Sequence, residues 1–257
     1  RTAAVLALVA ALGIAGCGGG RDGDPDDAAA TTTTVAPGPP STAAPTTVPT
    51  TSTTTPPPTV PPTTTTTTIP GPPTYRTGDE GPAVAMLQAR LQELGFWVPA
   101  ADGRYGGVTQ QAVMAFQKHV GLARDGIAGP ATQAALASAP PVASREGGDH
   151  LEIDLERQLL LVVRGGRTLA FNTSTGRAGW RTQPGRFTIE REIDGVRAAP
   201  LGDLYRPKYF DRGVAVHGSP SIPGHAASHG CARVHDDVMD LLWAEDLAPI
   251  GTPVWVY

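Results

Sequence analysis

Four regimes of hydrophobic patterning follow one another along the chain. Residues 2–16 form an almost unbroken run of apolar and small residues. From residue 18 to 74 no apolar period is visible. From Tyr75 the pattern becomes helical: Val84, Leu87, Leu91 and Leu94 recur at spacings of three and four, which predicts a helix with one apolar face. Gly95 marks its end. Asp102-Gly103-Arg104-Tyr105-Gly106 reads as a turn. A second helix is expected with Thr109 as its N-cap and with Ala112, Val113 and Phe116 facing inward. After Gly121-Leu122 and Asp125-Gly126, a short third helix is expected from Thr132 to Leu136. Beyond about residue 149 the period falls to two. Leu151 to Leu155 alternates. Gln158 to Arg164 and Thr168 to Thr173 flank Gly165-Gly166, a hairpin signal. Phe187-Thr188-Ile189, Gly213 to His217 and Pro253 to Tyr257 read as further strands. One helix is expected from Asp236 or Asp237 to Leu242. The expected fold class is multidomain: a small three-helix bundle over 75–140, then a mostly-β, sandwich-like domain with a short helix over 149–257.

Composition explains the silent stretch. Gly and Pro make up 57 of the 257 residues, far above ordinary globular usage. Thr and Pro fill 30 of the 40 positions from 31 to 70, and no charged residue occurs from Ala28 to Tyr75. Such a segment cannot bury enough apolar surface to offset its ordering entropy. Dense proline favours extended structure, so residues 18–74 read as a tether. The formal net charge is −4, with no concentrated basic region, which argues against a nucleic-acid partner. Two cysteines make neither a disulfide framework nor a four-thiolate metal site.

The first run is too short for a bilayer-spanning helix of about 20 residues, but it matches the apolar core of a secretory signal. The chain opens on Arg1 rather than Met, as expected if it starts inside the basic region of a leader. The run ends in Leu12-Gly13-Ile14-Ala15-Gly16-Cys17. Small residues before a Cys resemble the bacterial lipobox. That resemblance implies lipidation of Cys17, with 1–17 as signal, a lipid anchor in the cytoplasmic membrane and an extracytoplasmic location on its outer face. An ordinary secretory signal and a membrane-spanning anchor are the alternatives.

Within 75–140 the sequence echoes itself. Asp102-Gly103, Gly106 and Thr109 are matched by Asp125-Gly126, Gly129 and Thr132. Together with Gly81, Val84, Leu87-Gln88, Leu91, Leu94-Gly95, Ala112-Val113, Phe116-Gln117, Gly121-Leu122 and Leu136, this resembles the type 1 peptidoglycan-binding domain. The resemblance implies a non-catalytic module that docks on the cell wall. Core packing and turn geometry account for most of these residues without any ligand. A metal site on Asp102, Asp125 and His119 is a weaker alternative.

Chemistry concentrates near the end of the chain, in His217-Gly218-Ser219 and Ser228-His229-Gly230-Cys231-Ala232-Arg233. A cysteine beside imidazole and guanidinium groups is expected to have its thiolate favoured, and a Cys with a base makes a nucleophile. A zinc set of Cys231, His235, His217 and His229, or plain packing of the Cys, stays open on residue types alone. The segment resembles the L,D-transpeptidase catalytic domain of the YkuD type. Thr182-Gln183-Pro184-Gly185-Arg186-Phe187, Leu204-Tyr205-Arg206-Pro207 and Tyr209-Phe210 widen the match. The resemblance implies Cys231 as nucleophile, His217 as its base, and the Gly218 carbonyl as the group that orients the imidazole. It implies that His229 and Gly230 shape the Cys loop, with backbone N–H groups at Gly230 and Cys231 serving the oxyanion. Arg233 would steady the loop or meet a peptide carboxylate. Tyr209, Tyr205, Ser219 and Ser228 are candidates for substrate binding. No cofactor and no metal are implied. The implied substrates are peptidoglycan stem peptides, joined by 3→3 cross-links through a thioester, and carbapenems are implied as acylating agents. Hydrolysis by the same Cys, or a non-catalytic wall-anchoring role, would be the alternatives. The ten residues between His217 and Ser228 make a short connection, expected to change loop shape or specificity rather than to abolish the pair.

Overall fold

The computed structural model describes residues 73–257. The apolar run, Cys17 and the tether up to residue 72 lie outside the described residues. Among those described, no helix is long and apolar enough to cross a membrane.

Three helices come first: α1 (Pro82–Glu93), α2 (Gly107–Val120) and α3 (Pro130–Ser138). The apolar stripe of α1 is buried through Val84, Leu87 and Leu91, as its spacing predicts. Thr109 does not cap α2. The N-cap is Gly106, and Thr109 is the third helical residue. Thr132 is likewise third in α3, behind Gly129 and Pro130. The reason lies in the internal echo. Gln88 Nε2 donates to Asp102 Oδ1 (2.9 Å), the Arg104 carbonyl (3.0 Å) and Thr109 Oγ1 (3.0 Å), while its Oε1 accepts from Gly103 N (2.8 Å). Gln117 repeats the pattern on Asp125, Ile127, Thr132 and Gly126. Each threonine hydroxyl faces a buried glutamine, so neither is free to cap a helix end. The echoed aspartates are likewise occupied by glutamine amides, and His119 packs edge-on against Phe96.

The β region holds two sheets. The first runs in the order β3 (Arg167–Asn172), β2 (Leu159–Arg164), β1 (His150–Asp154), β10 (Pro253–Val256), β4 (Gly185–Thr188). The second runs β5 (Arg191–Glu192), β7 (Leu204–Asp211), β8 (Val214–Ser219), β9 (Ala232–His235), with β6 (Val196–Arg197) also on β7. Pairing is antiparallel except for β1 with β10 and β8 with β9. Gly165 and Gly166 both take positive φ at the β2–β3 turn, the conformation a two-residue hairpin of this twist requires. The helix α4 (Asp236–Ala244) follows β9 directly, capped at its start by His235 Nδ1, which accepts from Asp237 N.

The apolar run of β2 shows how the parts fit. Leu160 and Val162 join Leu151, Ile153, Phe171, Val216, Val234 and Met239 in the core between the sheets. Leu159 and Leu161 turn the other way, into one core with Leu91, Phe96, Val113 and Phe116 of the helices. A strand that is apolar on both faces needs both faces covered, and here the helical unit covers one. Lys118 of α2 crosses this junction. It is 1% exposed, and its Nζ donates to the Gln158 carbonyl (3.0 Å) and the Thr173 carbonyl (2.9 Å). Burial lowers its pKa to about 7, helped by the charge of Arg124.

Candidate active site

β8 and β9 run side by side in parallel, with His217 paired to Arg233 and Val216 to Ala232. His217 therefore sits on one strand and Cys231 on the turn that enters its neighbour. Both line a cavity of about 410 Å³, together with Ser219, Ser228, His229 and Arg233. Ala199 to Leu204 form a further part of the wall, with Gly213 and Val214 completing the lining. That part has no periodicity or chemical motif by which the sequence could reveal it.

The imidazole of His217 is buried, and its Nδ1 lies 2.8 Å from the Gly218 carbonyl. A carbonyl can only accept, so Nδ1 carries the hydrogen and the lone pair of the neutral ring is on Nε2. Gly218 is required here. A Cβ would stand 2.5 Å from Asp236 Oδ1 and 2.7 Å from Tyr205 Cδ1.

The turn before β9 is held by short side chains. Ser228 Oγ donates to the Cys231 carbonyl (2.6 Å) and accepts from Gly230 N (3.1 Å). Gly230 takes φ +123°, a region open essentially to glycine. Its carbonyl accepts from Thr182 Oγ1 (2.7 Å), which in turn accepts from Gly176 N (3.0 Å). A trans peptide sends its N–H opposite to its C=O, so the Cys231 N–H points away from Thr182. Thr182 belongs to the segment that carries the family resemblance, but its hold on the turn is visible only in three dimensions.

The expectation of a favoured thiolate does not hold at rest. Burial pushes the Cys231 thiol above its ordinary value, against the downward pull of the Ala215 backbone and the Arg233 charge. Burial also lowers His217 below the ordinary imidazole value; the Gly218 carbonyl opposes this, and Arg233 adds to it. The resting pair at neutral pH is a thiol and a neutral imidazole. His229, next but one to Cys231 in sequence, is turned elsewhere: its Nε2 meets Arg177 Nη2 at 2.9 Å, and its ring stands edge-on to Trp180. Arg233 pairs its backbone with Ser174 in both directions, and its Nη2 reaches Ser174 Oγ at 3.4 Å. Its Nε is buried without a partner among the described residues.

The two tyrosines are not brought into the cavity lining. Tyr205 donates its hydroxyl to Asp240 Oδ1 (2.8 Å). Tyr209 is buried in a cluster with Leu204 and Ala215, against which Cys231 packs, and lies under the guanidinium of Arg191. The zinc alternative is not assembled either. His235 caps α4 and His229 faces Arg177, and among the described residues no group of three or more His, Cys, Asp or Glu is placed to hold a metal.

Residues 80–136 match the peptidoglycan binding domain family, and residues 148–256 match the YkuD family of L,D-transpeptidase catalytic domains. A 66-residue stretch is 50% identical to the N-acetylmuramoyl-L-alanine amidase CwlM of Mycobacterium tuberculosis, covering 26% of this chain and 15% of that protein. A 65-residue stretch is 51% identical to the amidase CwlL of Bacillus licheniformis, covering 24% and 18%. The chain thus spans less than a fifth of the length of either curated relative. The crystal structure of an L,D-transpeptidase from Xylanimonas cellulosilytica is 46% identical, with a TM-score of 0.69. It covers 74% of this chain and all of its own. That span exceeds the β region alone and takes in helices as well. With a peptidoglycan-binding unit ahead of a YkuD-type catalytic domain, the chain belongs to the L,D-transpeptidase family.

Proposed function

We propose that the protein is a cysteine acyltransferase that forms 3→3 cross-links between peptidoglycan stem peptides. The observation that carries this reading is the shared cavity of Cys231 and His217, with the His217 tautomer fixed by the Gly218 carbonyl. The Cys231 sulfur attacks the carbonyl carbon between the L-centre and the terminal D-Ala of a donor tetrapeptide. Its proton passes to His217 Nε2 as the bond forms, so no preformed thiolate is needed. The imidazolium that results is stabilised by the Gly218 carbonyl. The oxyanion is met by the Cys231 N–H, oriented through the Thr182-held peptide; such a donor contributes on the order of 3–4 kcal/mol. On collapse, the D-Ala amine leaves with the proton from Nε2 and a thioester remains. A side-chain amine of a neighbouring stem attacks the thioester, gives its proton to His217 and releases the thiol. Gly230 shapes the turn, and Ser228 fixes it. Arg233, with its spare Nε–H, is suited to a peptide carboxylate. Ser219 lines the same cavity.

The helical unit would hold the enzyme at its substrate. Residues 2–16 and the small residues before Cys17 support a lipid anchor on the outer face of the cytoplasmic membrane, and the Thr/Pro tether would raise the local concentration of wall peptides. Incubation with a disaccharide-tetrapeptide tests the reaction. A cross-linked dimer lacking one D-Ala is expected. Tripeptide as the sole product would make the enzyme a carboxypeptidase. Metabolic labelling with a radiolabelled fatty acid tests the anchor: label retained by a Cys17→Ala variant would remove it.

A further inference from the structure

The segment that joins His217 to Cys231 is held from outside its own domain. β8 ends at Ser219 and β9 begins at Ala232, leaving 12 residues for a parallel crossover. That is close to the shortest connection parallel strands accept, and Pro220 and Pro223 stiffen it further. There is little slack. The buried Ile222 has its carbonyl bound by Asn172 Nδ2 of β3 (3.2 Å) and by Gln111 Nε2 of α2 (3.4 Å). The Gly224 carbonyl accepts from Arg124 Nη1 (3.3 Å), and Nη2 of the same guanidinium donates to the Glu156 carbonyl (3.3 Å). Gly224 is pressed against the helical unit: a Cβ there would lie 2.8 Å from the Arg124 carbonyl oxygen, 3.0 Å from Arg124 Cβ and 3.5 Å from Met114 Sδ. The far end of the segment is tied to the β region. Ser174 Oγ donates to the His225 carbonyl (2.8 Å), and the amides of Ala227 and Ser228 donate to the Thr175 carbonyl (both 3.0 Å). Lys118 pins the carbonyl of Thr173 just before them.

We propose that the helical unit, besides meeting the wall, positions the acyl-transfer site: α2 and the loop after it set the path of residues 219–227, and thereby the spacing of His217 and Cys231. This rests on the acyl-transfer reading above. Gln111, Arg124 and Gly224 are positioning residues that touch neither substrate nor sulfur. A shift at Gly224 passes within four residues to Ser228, whose hydroxyl holds the Cys231 carbonyl. Small misplacements of reacting groups are costly in rate.

The test is stopped-flow acylation of the full chain by a carbapenem, separating the saturating rate constant from the half-saturating concentration. Gly224→Ala inserts a methyl group into the junction. Its rate constant is expected to fall about tenfold or more, with half-saturation nearly unchanged. Arg124→Ala removes two long, exposed hydrogen bonds and the charge that acts on Lys118, and is expected to leave the fold intact. A two- to tenfold fall is expected, the effect of about one net hydrogen bond, with partial recovery in Arg124→Lys. Wild-type rate constants in the folded variants overturn the proposal, as does a change confined to half-saturation. If Gly224→Ala does not fold, Arg124→Ala decides alone. A wild type that no carbapenem acylates removes the acyl-transfer reading itself, and this proposal with it.

Discussion

Replacing Thr182 by valine keeps the shape of the side chain and removes one hydroxyl. That hydroxyl donates to the Gly230 carbonyl at 2.7 Å and accepts from Gly176 N at 3.0 Å. Thr182 is 2% exposed, so both backbone groups lose a buried partner. An orphaned buried group costs about 1–3 kcal/mol. Thr182 and Gly176 also border a hollow of about 320 Å³, and water entering it can meet one of the two. The expected loss is therefore that of a single orphaned group, about 2 kcal/mol. For a folded region of this size that corresponds to a fall in Tm of roughly 4–8 °C. Thr182→Ser keeps the hydroxyl and should lose much less. Calorimetry of wild type and both variants gives the numbers. Carbapenem acylation of Thr182→Val should slow as well, because the Gly230–Cys231 peptide is no longer pinned. A valine variant that melts within about 1 °C of wild type and acylates at the wild-type rate would show that the Thr182 hydroxyl holds neither the fold nor the turn.

Further predictions concern charge and space. The rate of Cys231 acylation should fall on the acid side with a midpoint below the ordinary imidazole value of 6.5, because burial lowers the pKa of His217; a midpoint at or above 6.5 would contradict a buried neutral base. The same lowering makes His217 stabilising above pH 6.5, a contribution lost as pH falls through its lower folded-state value. Lys118 has a folded pKa of about 7 against an ordinary 10.5, so the unfolded chain binds the extra proton in that window, and stability gains from rising pH there. Chemical denaturation at about pH 7 and about pH 10 should show Lys118→Met missing that gain, which in wild type has a slope of at most about 1.4 kcal/mol for each step of one in pH; equal pH slopes in the two proteins would count against it. Gly218→Ala should lose most acylation, since its methyl group must displace both Asp236 and Tyr205; a variant with near-wild-type activity would show that the His217 strand tolerates the move.

The strongly periodic elements are legible in the sequence. The stripe of α1, the β2–β3 hairpin and the closing strand follow directly from helical spacing, spacing two and paired glycines. β7 and β9 are hidden for different reasons. β7 contains Pro207 and a positive-φ Arg206, which break its alternation, and β9 has only four residues, inside a segment dominated by its chemistry. The expected cap at Thr109 is displaced because long-range glutamine contacts outweigh a local preference, and Thr132 is held in the same way. At the site, residue types single out Cys231 and His217, which the fold brings to one cavity, but they do not show which neighbours the surrounding side chains meet. His229 looks like an activator of Cys231 by proximity in sequence, yet it binds Arg177, 52 residues away. Nearby charge suggests a stabilised thiolate; burial, which sequence does not display, outweighs it. The Ala199 to Leu204 wall and the helical buttress of residues 219–227 depend on contacts that no local pattern encodes.

The proposed function rests on Cys231 forming the covalent intermediate with His217 as its base. Intact-protein mass spectrometry tests it most directly, on wild type, Cys231→Ala and His217→Ala, each incubated with a carbapenem and separately with a disaccharide-tetrapeptide. A carbapenem adduct is expected in wild type, none in Cys231→Ala, and formation slowed by orders of magnitude in His217→Ala. With the tetrapeptide, D-Ala should be released by wild type and not by Cys231→Ala. An adduct that persists in Cys231→Ala, or a folded wild type that gains no mass and releases no D-Ala, would contradict it.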